Sequence, residues 1–188
     1  SWSIGAAFRR SYIDAILPAV IPEDSGFGFG VAPRYYDYQT RADYVPNERF
    51  NLRLLAFGSD DLFSFILEEP PDQDPSFDGF SFARRFHQIQ GTMNWSINDE
   101  MDLFAGLMSG WQNLVLRPGG SGLDLSFCPA TLRTHLTYRG IKKLKLRVGL
   151  LATLTRYAVE VNLPGVNQFQ INTKAGFTFA GALRALLR

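Results

Sequence analysis

The chain has 188 residues, of which 46% are apolar and 20% are charged, so one domain of ordinary size is expected. The net charge of +1 argues against a nucleic-acid surface that depends on excess positive charge. No run of about 18 consecutive apolar residues occurs, which excludes a spanning helix. A single cysteine, Cys128, excludes an internal disulfide and any metal site built from several cysteines.

The clearest pattern in the sequence is an alternation of apolar and polar residues with a period of two. In residues 144–155 the even positions are apolar, whereas Lys145, Arg147 and Thr153 lie on the other face. Leu151 is the one exception. Such a period predicts an extended strand with one apolar and one polar face.

In chain order, this alternation and the turn residues between its segments predict about eight strands. The intervening segments are rich in Pro, Gly, Asn and Asp, which favour turns and loops. The predicted strands are about Trp2–Ile16, Phe27–Val45, Arg49–Leu67, Phe80–Ile97, Met101–Leu116, a strand ending near Tyr138, a strand beginning at Leu144, and about Phe169–Leu183.

The connections between these strands are predicted to alternate in length. Those after strands one, three, five and seven are longer and rich in Pro, Gly or acidic residues, whereas those after strands two, four and six are tight. Long loops on one side and short turns on the other are typical of outer-membrane β-barrels. The sequence therefore predicts an all-β, antiparallel, up-and-down transmembrane β-barrel formed as a single domain by residues 1–188.

The polar face of the strands would line the lumen of such a barrel, because the apolar face contacts lipid. Charges of mixed sign can pair there across neighbouring strands, as the interior of a narrow barrel requires. A packed polar interior is the commoner role for such charges, and a substrate path is the alternative. The charged lumen candidates are Asp37, Arg41, Asp43, Arg53, Asp102, Arg133, Lys145, Arg147 and Lys174.

Candidate catalytic and metal-binding residues are few. His87 and His135 are the only histidines, and a lone histidine near a strand end is usually structural. No Gly-x-Ser-x-Gly elbow, Gly-rich phosphate loop or His-Glu-x-x-His motif occurs, so we expect neither enzymatic activity nor a cofactor. The acidic loop 68–79 offers oxygen ligands for Ca²⁺, but its spacing does not match an EF-hand and its three prolines favour a solvated loop.

Three strings in the first part of the chain resemble the barrel region of TonB-dependent outer-membrane receptors. They are residues 9–17 (RRSYIDAIL), 33–39 (PRYYDYQ) and 49–61 (RFNLRLLAFGSDD). The resemblance implies energised import, across the bacterial outer membrane, of a scarce ligand such as a ferric siderophore, cobalamin or an oligosaccharide. In that family a plug domain lies inside a barrel of about 22 strands, and an N-terminal motif contacts TonB.

The chain departs from the pattern of that family, because it contains no plug and no TonB-contact segment. Eight strands also cannot enclose a plug. The chain is then either a portion of a larger receptor, with a plug domain, TonB and the lipid bilayer as partners, or a self-contained eight-stranded membrane barrel, natural or engineered. The second explanation gives a structural or anchoring role without transport. A soluble ligand carrier with inward apolar side chains is the third alternative.

Overall fold

The computed structural model describes residues 1–13, 16, 27–67, 79–163 and 169–187. In these ranges the chain forms eight β-strands that belong to one sheet. The strands are β1 (Trp2–Arg10), β2 (Phe27–Asn47), β3 (Phe50–Leu67), β4 (Gly79–Ser96), β5 (Met101–Pro118), β6 (Gly122–Ile141), β7 (Leu144–Asn162) and β8 (Phe169–Leu187).

Each strand pairs antiparallel with its neighbours in the sequence, so the sheet runs from β1 to β8 without a crossover. This arrangement confirms the predicted all-β, antiparallel, up-and-down architecture of eight strands. Within the described residues β1 and β8 are not paired with each other, so the sheet keeps two free edges. The predicted closure into a barrel is therefore not seen in these eight strands.

The three hairpin connections predicted to be tight are stabilised by local hydrogen bonds or by a left-handed residue. Between β2 and β3, the Asn47 side-chain oxygen accepts a hydrogen bond from the Arg49 amide at 2.9 Å. Between β4 and β5, the Asn98 side-chain oxygen accepts one from the Glu100 amide at 3.0 Å. Both are the Asx turns that asparagine favours. Between β6 and β7, Lys143 adopts a φ of 63°.

The first strand is shorter than the sequence predicts, ending at Arg10 rather than at Ile16. Ser11 explains the difference, because its hydroxyl accepts a hydrogen bond from the Ile13 amide at 3.2 Å. Such a side-chain bond to the local backbone competes with the strand ladder. The Ser11 amide still donates to the Tyr35 carbonyl at 2.9 Å, which extends the pairing with β2 by one residue beyond β1.

The connection after strand five is short, which contradicts the predicted long loop. β5 continues through Arg117 and Pro118, and β6 already begins at Gly122. The turn needs a left-handed residue, which Gly119 supplies with a φ of 55°. The Arg117 guanidinium joins the two strands by an ion pair with Asp124 at 2.7 Å.

The sheet has no hydrophobic core of its own. No apolar side chain in the described part of the chain is buried, and many large apolar side chains are exposed. Along β4 and β5 exposure alternates: Ile89, Leu107 and Trp111 are exposed, whereas the intervening positions such as Gln90 and Met108 are half-buried. Because side chains crowd together on the inner side of a curved sheet, this alternation indicates that the sheet curls towards its polar face.

Candidate functional site: the polar face and the apolar belt

The register of the sheet assigns every strand residue to one of two faces, because directly opposed residues project to the same side. One row crosses the first three strands as Ser3, Asp43 and Arg53. Following such rows from β1 to β8 places all nine charged lumen candidates on the same side, here called the polar face. The predicted parity of the strands therefore agrees with the register of the sheet.

On β1 to β3 the charges of the polar face neutralise one another. Asp43 accepts hydrogen bonds from the Nε atoms of Arg41 at 2.5 Å and Arg53 at 2.7 Å. Asp43 is buried, with 7% of its surface exposed. Beside it, Arg9 pairs with Asp37 at 2.6 Å. This part of the face is a closed ion-pair network with little capacity for a further charged group.

A second ion-pair cluster lies at the short-turn end of β5 and β6. Asp102 pairs with Arg139 and accepts a hydrogen bond from the Ser96 hydroxyl at 2.9 Å. Thr137, which is opposite Asp102 in the register, is almost fully buried. Its hydroxyl accepts a hydrogen bond from the Nε atom of Arg147 at 3.2 Å. Asp102, the acidic residue of this cluster, therefore already has an ion-pair partner and a hydrogen-bond donor.

Apart from Arg84 on β4, the remaining cations of the polar face lie on β6 to β8, where they form no ion pair within the described ranges. Arg133, Lys145, Arg147 and Lys174 form no ion pair with any carboxylate of the described residues. Arg184 joins them, because it is directly opposite Arg147 on β8. The polar face therefore has a neutralised half on β1 to β3 and a basic half on β6 to β8.

Sequence reasoning missed four cations of the polar face: Arg9, Arg84, Arg139 and Arg184. The same alternation could have found them. Arg139 has the parity of Arg133, and Arg184 has the parity of Lys174. Arg139 and Arg184 lay outside the predicted strands, because the sixth strand was predicted to end near Tyr138 and the eighth at Leu183. The observed strands end at Ile141 and Leu187.

The opposite face carries a broad exposed apolar surface. Val148 is 56% exposed, Leu107 59% and Leu183 76%. The large side chains of this surface, which we call the apolar belt, are Ile4, Leu52, Leu54, Ile89, Met93, Leu103, Leu107, Leu132, Leu136, Leu146, Val148, Leu150, Leu154, Phe177, Phe179 and Leu183. Among the described residues no charged side chain lies within the belt. Contiguous exposed apolar surfaces rimmed by polar residues mark protein or membrane interaction sites.

Aromatic residues border the apolar belt on both sides. At the short-turn side Trp2 stacks on Tyr44 with ring centroids 4.3 Å apart. At the long-loop side Tyr38 donates to or accepts from Nδ1 of His87 at 2.9 Å, and His87 stacks on Trp111 at 6.0 Å. Aromatic girdles at both interfaces are a feature of membrane barrels.

Gly58 makes the second aromatic border possible. It lies between Tyr38 and His87 in the register, on the same face. A Cβ at this position would be 2.6 Å from the Phe86 carbonyl oxygen and 2.8 Å from Nδ1 of His87. Only glycine leaves the space across which the tyrosine and histidine meet. The Tyr38–His87 contact therefore packs directly against the backbone of β3.

The height of the belt fits the apolar layer of a membrane. From Leu103 to Trp111, β5 rises about 27 Å at about 3.4 Å per residue. A strand tilted by about 35–45° spans about 19–22 Å of height over that distance. The apolar band of outer-membrane barrels is about 25 Å tall. Charges on the same face return just beyond the border, where Arg85 pairs with Asp60 at 2.8 Å.

The two histidines have different surroundings. His87 belongs to the aromatic border, whereas His135 is on the polar face and stacks on Phe104 at 4.8 Å. Neither forms a hydrogen bond with a serine within the described ranges. No group of potential metal ligands occurs there either, and loop residues 68–78 with their candidate Ca²⁺ ligands lie outside the described residues. No helix of the described segments is long and apolar enough to cross a membrane.

Comparison with known proteins gives partial similarities. No protein-family model matches the chain. A stretch of 75 residues, 40% of the chain, is 39% identical to the type IV pilus assembly ATPase PilB of Acinetobacter baylyi. The ferric yersiniabactin uptake receptor FyuA from Yersinia pestis superimposes on 81% of the chain with 10% sequence identity and a TM-score of 0.45. The chain spans 11% of the length of PilB and 25% of that of the receptor.

Proposed function

We propose that these eight strands form part of the wall of a transmembrane β-barrel in the outer membrane of a bacterium. The observation that carries the proposal is the apolar belt, which is exposed, free of charge and bordered by aromatic residues. Lipid is the partner whose chemistry fits such a surface. The lumen candidates, which include Asp43, Arg53 and Arg147, then face the interior of the barrel.

The curvature of the sheet argues against the soluble carrier. A soluble barrel encloses its apolar side chains and presents polar ones to water. Here the reverse holds, because the apolar residues Ile89 and Leu107 are exposed whereas Gln90 on the polar face is half-buried. In water the sheet would expose most of its large apolar side chains, and no core would compensate.

The free edges and the basic half of the polar face support a portion of a larger barrel over a closed eight-stranded one. Closing eight strands leaves an interior that is just wide enough for side chains to fill. That interior would have to bury Arg133, Arg147 and Arg184 without a carboxylate. Unpaired buried charges are strongly unfavourable, whereas a wider lumen keeps these guanidinium groups hydrated.

The proposal extends to an uptake receptor of the TonB-dependent type, which the strings at 9–17, 33–39 and 49–61 resemble. In this role a plug domain would fill the lumen, TonB would energise transport, and the cargo would be a ferric siderophore, cobalamin or an oligosaccharide. The chain itself would supply wall and lumen contacts rather than catalysis. The alternative is a small closed barrel with an anchoring role, favoured by the strand number, since eight is even and sufficient for closure.

The orientation of the two faces can be tested with neighbouring leucines on opposite sides of β7. In a Cys128→Ser background, which removes the only native thiol, Leu150→Cys and Leu151→Cys are each labelled with a fluorophore in vesicles containing lipid-borne quenchers. The label on residue 150 is expected to be quenched and the label on residue 151 to be spared. The two positions are matched in residue type and depth. Equal quenching would contradict the proposed membrane orientation.

A further inference from the structure

A shallow depression on the polar face lies between the last three strands. On β8 and at Gly149 its floor is made of small residues, since Gly149 of β7 is opposite Ala182 of β8 and Ala180 is the next residue of this face along β8, while His135 and Leu151 line it beside them. Arg147 and Arg184, directly opposite each other, stand at one end, and Arg133 of β6 stands at the other. The small residues on the β8 side leave room above the sheet, and the three long cationic side chains stand around it.

The arrangement is unfavourable without a counter-charge. Like charges directly opposite each other on neighbouring strands are destabilising. None of these three arginines has an ion-pair partner in the described part of the chain, although the same face pairs Arg9, Arg41, Arg53 and Arg139 with Asp37, Asp43 and Asp102. Three unpaired arginines are therefore gathered around this one depression.

The spacing of the arginines defines what would fit. In the register Arg133 is opposite Leu151, four residues from Arg147 on the same strand. Four residues correspond to about 13 Å along a strand, and arginine side chains reaching inward shorten the gap between their guanidinium groups. A guanidinium fork binds a carboxylate or a phosphate by two parallel hydrogen bonds. A ligand with anionic groups at both ends would engage all three side chains.

We infer that this depression binds a small soluble molecule carrying two or more carboxylate or phosphate groups. The Arg147–Arg184 pair holds one anionic group, Arg133 holds the other, and the floor of Gly149 and Ala182 lets the ligand lie close to the backbone. The inference deepens the proposed function, on which it rests for a lumen that is open to water. It assigns to that lumen an anion-selective contact on β6 to β8.

The test is a calorimetric titration of the full-length protein, folded in a neutral maltoside detergent, with citrate and with pyrophosphate. Sodium chloride at matched ionic strength measures the contribution of simple screening. Arg147→Gln and Arg184→Gln are expected to weaken binding about tenfold or more each, because each removes charge-assisted hydrogen bonds. Arg156→Gln, which makes the same charge change on the opposite face of β7, should bind as the unmodified protein does.

The outcomes separate this inference from the proposed function. Saturable binding that the two polar-face variants weaken and the control retains supports the anion site, and the preferred probe shows whether carboxylate or phosphate is favoured. No saturable binding, or equal weakening in all three variants, overturns it. Circular dichroism of each variant establishes that the strands are folded. The titration is made in detergent, so it can succeed or fail independently of the lipid-quenching result at Leu150.

Discussion

Placing an arginine in the middle of the apolar belt should weaken membrane insertion strongly, and Leu150 is the residue that tests this best. On β7 the apolar positions of this face run from Leu146, which is opposite the aromatic residue Tyr138 near the short turns, to Leu154, the last apolar position before Arg156. Residue 150 lies four residues from either end, about 10 Å in depth once strand tilt is included. At this depth Leu150→Arg should cost about 2–4 kcal/mol of the free energy of folding into a bilayer.

Two further substitutions on the same strand provide the comparison. Leu146→Arg keeps the face but moves the charge to the border, where the expected cost falls to about 0–1 kcal/mol. Thr153→Arg places the charge on the polar face and sacrifices the hydroxyl contact with Thr131, 3.2 Å long. Losing this hydrogen bond should cost about 1 kcal/mol. The new guanidinium should add little to that cost, because it is hydrated in an open lumen.

The assay is reversible urea unfolding of the protein, with any further strands that its gene encodes, in phosphatidylcholine vesicles, followed by tryptophan fluorescence. The expected order of destabilisation is Leu150→Arg, then Thr153→Arg and Leu146→Arg. Equal costs at residues 150 and 153 would refute the assignment of the two faces. An equal cost at residues 146 and 150 would refute the position of the belt along β7.

Two other substitutions test local features of the sheet. Gly58→Ala should lower the free energy of unfolding by about 1–3 kcal/mol, because the new methyl group overlaps the Phe86 carbonyl. Gly176→Ala is the control and should be nearly neutral, because nothing lies within 4 Å of its Cβ. Thermal unfolding of both variants measures the difference, and equal effects would contradict the steric argument. Asp43→Asn should reduce the free energy of unfolding more than Asp37→Asn, because Asp43 accepts hydrogen bonds from two arginines and Asp37 from one. A larger loss for Asp37→Asn in urea unfolding would contradict the ion-pair network proposed for β1 to β3.

The alternation of the sequence was sufficient to predict the strands and their faces, because the direction of a side chain in a strand depends only on its position modulo two. Lys145 and Arg147 could thus be placed on one face with Asp102 without knowledge of the pairing. The strand ends were less predictable. They depend on single side chains such as Ser11, whose hydroxyl ends β1, and on residues such as Pro118 that continue a strand despite their turn propensity.

The contacts across strands could not be predicted, because they depend on the register. Asp43 and Arg53 were both lumen candidates, but only the pairing of β2 with β3 makes them direct neighbours. Likewise Gly58 reads as an ordinary strand glycine until the register places it between Tyr38 and His87. The uneven distribution of acids, which leaves Arg147 opposite Arg184, follows from the order of the strands and not from composition, whose net charge is only +1.

Closure of the sheet is the property that separates the larger barrel from the small one, and heat-modifiability measures it. Residues 1–188 refolded alone in detergent are expected to show no compact band in unboiled samples. Closure would require β1, whose nine residues are all exposed, to pair with the exposed edge strand β8. It would also confine three unneutralised arginines in an interior filled by side chains.

The control for this measurement is the triple variant Arg133→Gln, Arg147→Gln and Arg184→Gln, in which the electrostatic obstacle to closure is removed. If the arginines alone oppose closure, this variant should gain a heat-released compact band that the unmodified chain lacks. If neither chain shows the band, the edges need further strands, as a portion of a larger barrel would. A compact band from the unmodified chain would contradict the larger barrel and make the anchoring role primary, because a closed eight-stranded barrel has its interior filled by side chains.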